Sequence, residues 1–304
     1  MTKSTAIIVL HYGDINNTLR CLKSLEKLPE KNYLKVYIVD NGTKKITAKL
    51  IKDFQFNKTL LVNKKNLGYA GGNNTGIKNA LKENYDYILL LNNDTIVEPK
   101  IIQELKKPLT NSQHGITGCI ITYDNGENKI WYAGGRLNTK LCITRHPHMN
   151  TALSEVNIHP GPTDFISGAA MMIKRDVFDK IGLLPENYFL YWEDVDFCYK
   201  AKKNHFSCYL VNKVLVKHSV SASTGEKGSN TLSPIRAYYY ARNPFLFMVQ
   251  NNLSSFTGVI GQICIRLPYS LLTVNSLTAA KEYLRGIRDG MKLLSNPDQI
   301  NSMR

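Results

Sequence analysis

Four consecutive apolar residues, Ile88 to Leu91, run directly into the polar side chains of Asn92, Asn93 and Asp94. The apolar run is too short to cross a membrane, and its polar flanks are typical of a strand buried on both faces of an α/β sheet. Ligands in such sheets bind beyond the carboxyl ends of the strands, so Asp94 is a candidate functional residue. The alternative is an Asx turn in which Asp94 only caps a helix predicted to start near Pro99.

A second group of carboxylates lies in the sequence WEDVD, from Trp192 to Asp196. This segment is predicted to open a helix, so Glu193, Asp194 and Asp196 would gather in its first turn, where the helix dipole stabilises negative charge. Three carboxylates in four positions form a second candidate chemical centre. The residues alone leave open whether these groups do chemistry or only start the helix.

The elements that must position these groups are short β-branched runs separated by helix-length spacers. Three such runs are predicted to be strands: Ala6 to Leu10, Val36 to Gly42 and Thr59 to Val62. Between the first two, apolar residues recur at helical spacing from Ile15 to Leu28. Strands alternating with helices predict an α/β fold with a parallel sheet and right-handed crossovers. The first strand runs into His11 and Tyr12, and the second includes Asp40 near its end.

A glycine-rich segment from Asn66 to Leu81 follows the third strand and contains Gly68, Gly71, Gly72 and Gly76. The pattern predicts a loop just before a helix, in which glycines let the backbone approach a ligand and free N–H groups meet phosphate. The spacing matches neither GxGxxG nor the Walker loop. A tight turn without a ligand is the alternative.

Composition limits the class of protein and of partner. The chain has 304 residues with 43% hydrophobic and 21% charged residues, which is ordinary for a globular protein and argues against disorder. Lys and Arg number 39 against 24 Asp and Glu, a formal charge of +15 that predicts an anionic partner: nucleic acid, a nucleotide or an anionic membrane surface. The six cysteines include no CxxC pair, which favours reduced thiols in a cytosolic protein.

Further patterns bear on metal binding and on membrane insertion. His146, His148 and His159 lie close in sequence, but no carboxylate or cysteine spacing supports a metal site, so solvated loop histidines are expected. The apolar stretch from Phe256 to Val274 is interrupted by polar and proline residues, so a membrane crossing is not expected. The N-terminus reaches its first strand too soon for a signal peptide.

The ordered set of motifs resembles family-2 glycosyltransferases, and more narrowly the bacterial rhamnosyltransferase-like branch that builds surface polysaccharides. The resemblance covers roughly residues 4 to 225 and is carried by IIVLHY (7–12), IVDNG (38–42), NLGYAGGNNTGI (66–77), LLLNNDT (89–95), FISGAAMMIKRDVFDKIG (165–182), YFLYWEDVDFCYKAK (188–202) and KHSVSAS (217–223). It implies a GT-A fold: a Rossmann-like nucleotide-sugar half (1–98) with a mostly parallel central sheet, joined to an acceptor half (99–230). Residues 231–304 are then expected to form a helical C-terminal appendage.

The resemblance also implies a role for each matching residue. Those expected to bind the nucleotide sugar are His11, Tyr12, Asp40, Asn66, Gly68, Gly72, Asn73, Asn92 and Asn93. Asp94 and His218 would bind a divalent cation, Mg²⁺ or Mn²⁺. The first acidic position of the family's DxD motif is Asn92 here, and one carboxylate fewer weakens the attraction for metal.

In the second centre, the resemblance implies that Asp194 is the general base of a single displacement, which inverts the configuration at the anomeric carbon of the sugar. Glu193 and Asp196 would contact the acceptor or orient the site, and Trp192 would bind the acceptor together with Glu193. The expected reaction moves rhamnose from dTDP-rhamnose to a saccharide acceptor that is lipid-linked. The same fold could instead use UDP-galactofuranose, UDP-glucose or UDP-galactose.

The rest of the chain bears on location and on other function classes. Residues 235–304 hold eight Lys and Arg against three Asp and Glu, mixed with aromatic residues. This composition has two interpretations: the region is a helical pair packed on the catalytic domain, or it attaches to the cytoplasmic face of an anionic membrane. Residues 225–230 are expected to form a lid over the donor. The alternatives to an enzyme are a basic nucleic-acid-binding protein and a catalytically silent scaffold.

Overall fold

A computed structural model describes residues 4–219, 232–274 and 276–296. The predicted lid, residues 225–230, lies outside these ranges. The strands are β1 (Thr5–His11), β2 (Leu34–Asp40), β3 (Asn57–Val62), β4 (Tyr87–Asn92), β5 (Thr95–Val97), β6 (His114–Tyr123), β7 (Ile130–Tyr132), β8 (Arg136–Asn138), β9 (Ile143–Arg145), β10 (Gly161–Thr163), β11 (Ala170–Lys174) and β12 (Ser207–His218).

Helices cover the sheet and follow β12. They are α1 (Ile15–Leu25), α2 (Ala48–Ile51), α3 (Gly68–Lys82), α4 (Ile101–Lys106), α5 (Arg175–Ile181), α6 (Glu193–Lys203), α7 (Pro234–Gln250), α8 (Ser255–Ile260), α9 (Leu267–Thr273) and α10 (Leu277–Ser295). A π-helical turn, Gly261–Arg266, joins α8 to α9. In the described part of the chain, no helix combines the length and the apolar character that a membrane crossing requires.

The central sheet runs in the order β10-β12-β6-β11-β4-β1-β2-β3. The four strands β4, β1, β2 and β3 are parallel, as the sequence predicts, whereas β11 is antiparallel to both of its neighbours. In the register of the sheet, His11 lies opposite Asp40, and Leu10 lies opposite Asn92. The carboxyl ends of β1, β2 and β4 therefore meet at one edge.

The strand β4 is buried on both faces, as predicted. Ile88 to Leu91 are at most 1% exposed, so the side chains that point to either face of the sheet are covered. The predicted helix near Pro99 is α4, but the short strand β5 precedes it and pairs with β12. Chain segments far apart in sequence therefore meet directly after Asp94.

The glycine-rich segment is a helix rather than the predicted loop, since α3 already begins at Gly68. Gly72 and Gly76 face β1 at very short distance. A Cβ on Gly72 would lie 2.5 Å from Cδ1 of Leu10, and one on Gly76 would lie 2.7 Å from Cγ2 of Ile8. These glycines let α3 pack closely against the sheet, and this close approach outweighs their poor helix propensity.

The C-terminal helices share the core of the sheet domain. Phe245 and Phe247 of α7 are fully buried in the same hydrophobic cluster as β1 and β4. The helix α10 packs on α7 through glycines, since a Cβ on Gly286 would lie 2.3 Å from the carbonyl oxygen of Tyr238. The predicted packing of this region on the catalytic domain is therefore present, and α7 is part of the main core.

The close packing of α3 on β1 predicts that Gly76→Ala destabilises the protein, although alanine is the better helix former. Overpacking costs about 1–3 kcal/mol and the gain in helix propensity is about 1 kcal/mol, so we expect a net loss of about 1 kcal/mol. Urea unfolding of the variant and of wild type measures this change in the free energy of unfolding. Gly161→Ala is the control, because a Cβ there meets nothing within 4 Å. A Gly76→Ala protein as stable as wild type would contradict the packing argument.

Candidate functional site

Asp40, at the end of β2, is fully buried and organises the loop that follows it. Its Oδ1 accepts hydrogen bonds from the backbone N–H (2.7 Å) and hydroxyl (2.8 Å) of Thr43, and its Oδ2 accepts one from the Ile46 N–H (3.3 Å). Burial raises the pKa of this carboxyl, but these hydrogen bonds outweigh burial, so that its pKa is lowered. Asp40 is therefore ionised beside the end of β1.

His11 is linked to the polar cluster after β4 through a residue that the sequence did not single out. The Thr18 hydroxyl of α1 lies 2.7 Å from Nδ1 of His11 and accepts a hydrogen bond from Nδ2 of Asn93 at 2.8 Å. Burial lowers the pKa of His11, which favours the neutral imidazole. Tyr12, the next residue, is 45% exposed at this edge. A bridging Thr18 is visible only once α1 is placed against the strand ends.

Asn41 is a second residue that sequence reasoning missed, although it lies inside the IVDNG motif. Its Nδ2 donates to Oδ1 of Asn66 (2.9 Å) and to the carbonyl of Gly68 (3.0 Å). Its Oδ1 accepts from Nδ2 of Asn63 (3.1 Å) and from the N–H of Leu67 (3.1 Å). One buried amide thus ties the ends of β2 and β3 to the start of α3. The Asn66 side chain is committed to this network.

The predicted metal pair is in contact. Nε2 of His218 lies 2.9 Å from Oδ1 of Asp94, and both side chains are buried. The contact joins residues 124 positions apart, because β12 pairs with β5 and the Ser219 N–H donates to the Asp94 carbonyl at 2.8 Å. The His218 ring also meets the edge of Trp131 at 4.3 Å between ring centroids. His218 is therefore the last residue of a 12-residue strand, β12.

The donor set around Asp94 fits a divalent cation only in part. Among the described residues, no group of three or more His, Cys, Asp and Glu side chains could hold a metal ion. The contacting pair supplies one carboxylate and one imidazole, and Asn92 adds an amide nearby. Such a set suits a divalent cation that takes its other ligands from phosphate oxygens and water.

The three carboxylates of α6 have different environments. Asp196 is fully buried and bonded to Lys200 (2.7 Å) and to Asn251 (2.6 Å), so both of its oxygens are committed. Asp194 is half-buried, and from the described residues it accepts hydrogen bonds of backbone N–H groups alone, those of Gly168 (3.1 Å) and Val195 (2.8 Å). Asp194 is thus the better placed of the two to accept a proton.

Glu193 differs from both, because its Oε2 is buried with no hydrogen-bond partner within the described ranges. Burial raises the pKa of Glu193 well above its usual range, and the charge of Asp194 raises it further. Burial also raises the pKa of Asp194, opposed by the N–H groups of Gly168 and Val195. Of these two adjacent carboxyls, Glu193 is therefore the one whose neutral form the surroundings favour more.

Trp192, directly before α6, has a buried ring that packs against Phe247 at 5.1 Å between centroids. The structure therefore places this ring in the core. Its backbone is left-handed (φ 76°), as is that of Tyr191 (φ 68°). For a residue with a side chain this conformation costs roughly 1–2 kcal/mol, so two in succession mark a turn that its neighbours must hold.

Two consecutive residues join the Asp94 cluster to Asp194. The carbonyl of Ala169 accepts from the N–H of Asn92 at 3.1 Å, and the N–H of Gly168 donates to Asp194 at 3.1 Å. The Tyr69 hydroxyl of α3 donates to the Gly168 carbonyl at 2.6 Å. The two chemical centres predicted from the sequence therefore lie side by side, together with the start of α3.

The structure also defines the surroundings of Asn73 and His146, two positions discussed from the sequence. Asn73, predicted to bind the donor, is buried in α3 and donates to the Tyr69 carbonyl at 3.0 Å, and its Oδ1 is buried with no partner in the part of the chain described. The expectation of solvated histidines is wrong for His146, whose ring lies 5.6 Å from that of Tyr132 and 5.5 Å from that of Phe165. Burial, with Arg266 nearby, lowers the pKa of His146 to about 4.

The glycosyl transferase family 2 model matches residues 6–182, more than half of the chain. The dTDP-rhamnosyl transferase RfbF of Shigella flexneri is 22% identical over 98% of each chain. The N-acetylglucosaminyl-diphospho-decaprenol L-rhamnosyltransferase of Mycobacterium tuberculosis is 25% identical over 77% of this chain and 81% of its own length. The low-salt glycan biosynthesis hexosyltransferase Agl10 of Haloferax volcanii is 31% identical over 49% of this chain, which spans about half (48%) of that relative.

The fold is also that of solved glycosyltransferases. The mannosyltransferase PcManGT from Pyrobaculum calidifontis, solved with GDP-Man and Mn²⁺, superposes with a TM-score of 0.60 at 13% identity, over 99% of this chain and 87% of that one. That likeness shows a GT-A fold. Taken with the family match over β1 to α5, it means that the chain belongs to glycosyltransferase family 2 and is a glycosyltransferase, with rhamnosyltransferases among its relatives.

Proposed function

We propose that the protein transfers a sugar with inversion from a nucleotide sugar to a saccharide acceptor by a single displacement. One observation carries the proposal: the consecutive residues Gly168 and Ala169 hold Asp194 beside the polar cluster that ends in Asp94. An inverting transfer needs a base on the acceptor side and a stabiliser of the leaving group close to it. The two centres have these chemical types and this proximity.

In the proposed step, Asp194 takes the proton of an acceptor hydroxyl while that oxygen attacks the anomeric carbon. The bond from that carbon to the diphosphate oxygen breaks at the same time, and the nucleoside diphosphate leaves. Asp94 and His218 would hold a divalent cation. When bound, such a cation supplies positive charge opposite the leaving diphosphate. Glu193, whose neutral form the surroundings favour more, leaves Asp194 as the basic member.

The donor and acceptor follow from relatives that match most of this chain. Names of two of them specify rhamnosyl transfer, one from a dTDP-sugar and one to a diphospho-decaprenol-linked sugar. We therefore propose dTDP-rhamnose as donor and a lipid-linked saccharide as acceptor, in the synthesis of a bacterial surface polysaccharide. UDP-galactofuranose, UDP-glucose and UDP-galactose are the alternative donors.

The exposed face of α10 supports a location on the inner face of the cell membrane. Leu277, Leu284 and Met291 recur every seven residues and are 83%, 50% and 43% exposed. Four exposed basic residues lie on the same helix: Lys281, Arg285, Arg288 and Lys292. The whole helix contains two acidic residues. An apolar stripe flanked by basic residues suits the interface of an anionic membrane. A lipid-linked acceptor would be found there.

The role of Asp194 predicts that Asp194→Asn keeps donor binding within a few-fold while transfer falls by at least ~100-fold, because a positioned base contributes ~10²–10⁴-fold. Transfer from dTDP-rhamnose and donor affinity by calorimetry measure the two effects, with the UDP-sugars as alternative donors. Glu193→Gln and Asp196→Asn are matched variants on the same helical turn. Near-normal transfer by Asp194→Asn, with collapse in one of the others, would move the base to that residue.

The Asp94–His218 pair predicts a dependence on divalent cations. We expect Mg²⁺ or Mn²⁺ to raise the rate, and Asp94→Ala to remove most of the activity, because the leaving diphosphate needs a counter-charge. Titration of each metal into protein treated with EDTA, followed by calorimetry and by rate, measures this dependence. Full activity in excess EDTA would refute the metal requirement. Loss of activity in Asp94→Ala with unchanged metal binding would place the cation elsewhere.

The exposed stripe predicts binding to vesicles rich in anionic lipid that weakens as salt is raised. We expect the combined change Leu277→Ser, Leu284→Ser and Met291→Ser to reduce vesicle binding at least ~10-fold, since apolar burial adds to electrostatic attraction. Co-sedimentation measures it in the full chain. Tyr33→Ser, which removes an 82% exposed aromatic ring from the nucleotide half, is the control. Equal binding by the triple variant and wild type would remove α10 from the membrane interface.

A further inference from the structure

A buried amide of α7, that of Asn243, binds the backbone of the turn before α6. Asn243 is fully buried, and its Nδ2 donates to two consecutive carbonyls, those of Leu190 (2.7 Å) and Tyr191 (2.7 Å). Its Oδ1 accepts from Nε of Arg242 at 2.9 Å. Both amide hydrogens are therefore used on one short stretch of backbone. Leu190 and Tyr191 lie 53 and 52 positions from Asn243 in the sequence.

That stretch is the one with unfavourable backbone angles. Tyr191 and Trp192 both have positive φ, 68° and 76°, and neither is glycine. A left-handed pair of this kind persists only where the surrounding contacts hold it. The two carbonyls bound by Asn243 are those of Tyr191 and of the residue before it. The amide therefore acts on the peptide groups that define the turn.

The turn sets the position of the first turn of α6. The helix begins at Glu193, and its first backbone hydrogen bond runs from the N–H of Asp196 to the carbonyl of Trp192 at 2.8 Å. Asp194 lies between these two residues. The direction of the Asp194 side chain toward Gly168 therefore depends on the path of the backbone through Trp192.

We propose that Asn243 is a positioning residue, which holds the left-handed turn at Tyr191 and Trp192 and thereby aims Asp194 at the acceptor hydroxyl. The inference rests on the proposed function, in which Asp194 is the base. It gives α7 a role in the transfer step although no α7 side chain is assigned to the reacting atoms. Asn243 would contribute to kcat, and only weakly to the affinity for the donor.

Other contacts keep α7 in place without Asn243. Tyr239 stacks on Phe189 at 5.2 Å between centroids, and Phe247 packs against Trp192. Arg242 donates to the Asn187 carbonyl at 3.1 Å. Loss of the Asn243 amide should therefore release the turn while α7 stays docked. A local effect of this kind separates positioning from general stability.

The chain offers a matched control in Gln262, which is also buried and also ties two consecutive carbonyls. Its Nε2 donates to Cys142 (2.7 Å) and to Leu141 (3.3 Å), and Cys142 likewise has positive φ, 51°. This turn lies between β8 and β9. Asn243→Asp and Gln262→Glu make the same chemical change, an amide to a carboxylate that repels the two carbonyl oxygens.

The experiment combines hydrogen exchange with steady-state kinetics on the full chain. In Asn243→Asp we expect faster amide exchange in residues 188–198, a fall in kcat of at least ~10-fold and a donor KM within about 3-fold of wild type. In Gln262→Glu we expect faster exchange around residues 138–146 and a kcat within about 2-fold. Asn243→Ser, which keeps one donor, should be intermediate, and it replaces Asn243→Asp if that variant does not fold.

The two readouts separate the failure of each proposal. Unchanged exchange in residues 188–198 would overturn the positioning role, whatever the activity. Faster exchange there with a normal kcat would also overturn it, since the turn would then not direct the base. If wild type transfers no sugar from any nucleotide donor, the proposed function fails. The exchange data would then decide alone whether Asn243 holds the turn.

Discussion

The whole site depends on two neighbouring peptide groups, those of Gly168 and Ala169. The Ala169 carbonyl binds the N–H at the end of β4, the Gly168 N–H binds Asp194, and the Gly168 carbonyl accepts the hydroxyl of Tyr69. A Cβ at Gly168 would clash with the hydroxyl of Tyr69, so a side chain there would require the Tyr69 ring to shift. These contacts of one short backbone segment bring the end of β4 next to Asp194.

Buried polar side chains do most of the structural work around this point. Asn41 joins β2, β3 and α3, Thr18 joins α1 to the strand ends, and Asn243 joins α7 to α6. A buried amide or hydroxyl is costly unless its hydrogen bonds are made, so each of these residues admits few arrangements of its partners. These residues therefore fix the relative positions of the strand ends and helix starts at the surface where ligands would bind. The hydrophobic core, by contrast, sets only the overall stacking of helices on the sheet.

Charge is distributed unequally between the two centres. On α6, Asp196 is paired with Lys200, burial raises the pKa values of Glu193 and Asp194, and the charge of Asp194 raises that of Glu193 further. At the end of β4, Asp94 has an imidazole as its neighbour. A base with a raised pKa suits the acceptance of a proton from a sugar hydroxyl. A carboxylate and an imidazole suit the cation that would face a diphosphate.

Local patterns in the sequence determined the parallel strands β1 to β4, the helices α1, α4 and α6, and the two carboxylate centres, since periodicity and strand ends are properties of neighbouring residues. Tertiary structure decided what depends on distant partners. It turned the glycine-rich segment into a helix because Gly72 and Gly76 meet β1, and it placed His146 against the rings of Tyr132 and Phe165. It also decided that the three carboxylates on α6 have different partners. Asp196 is committed to Asn251, 55 positions away, and no pattern within WEDVD could show that contact.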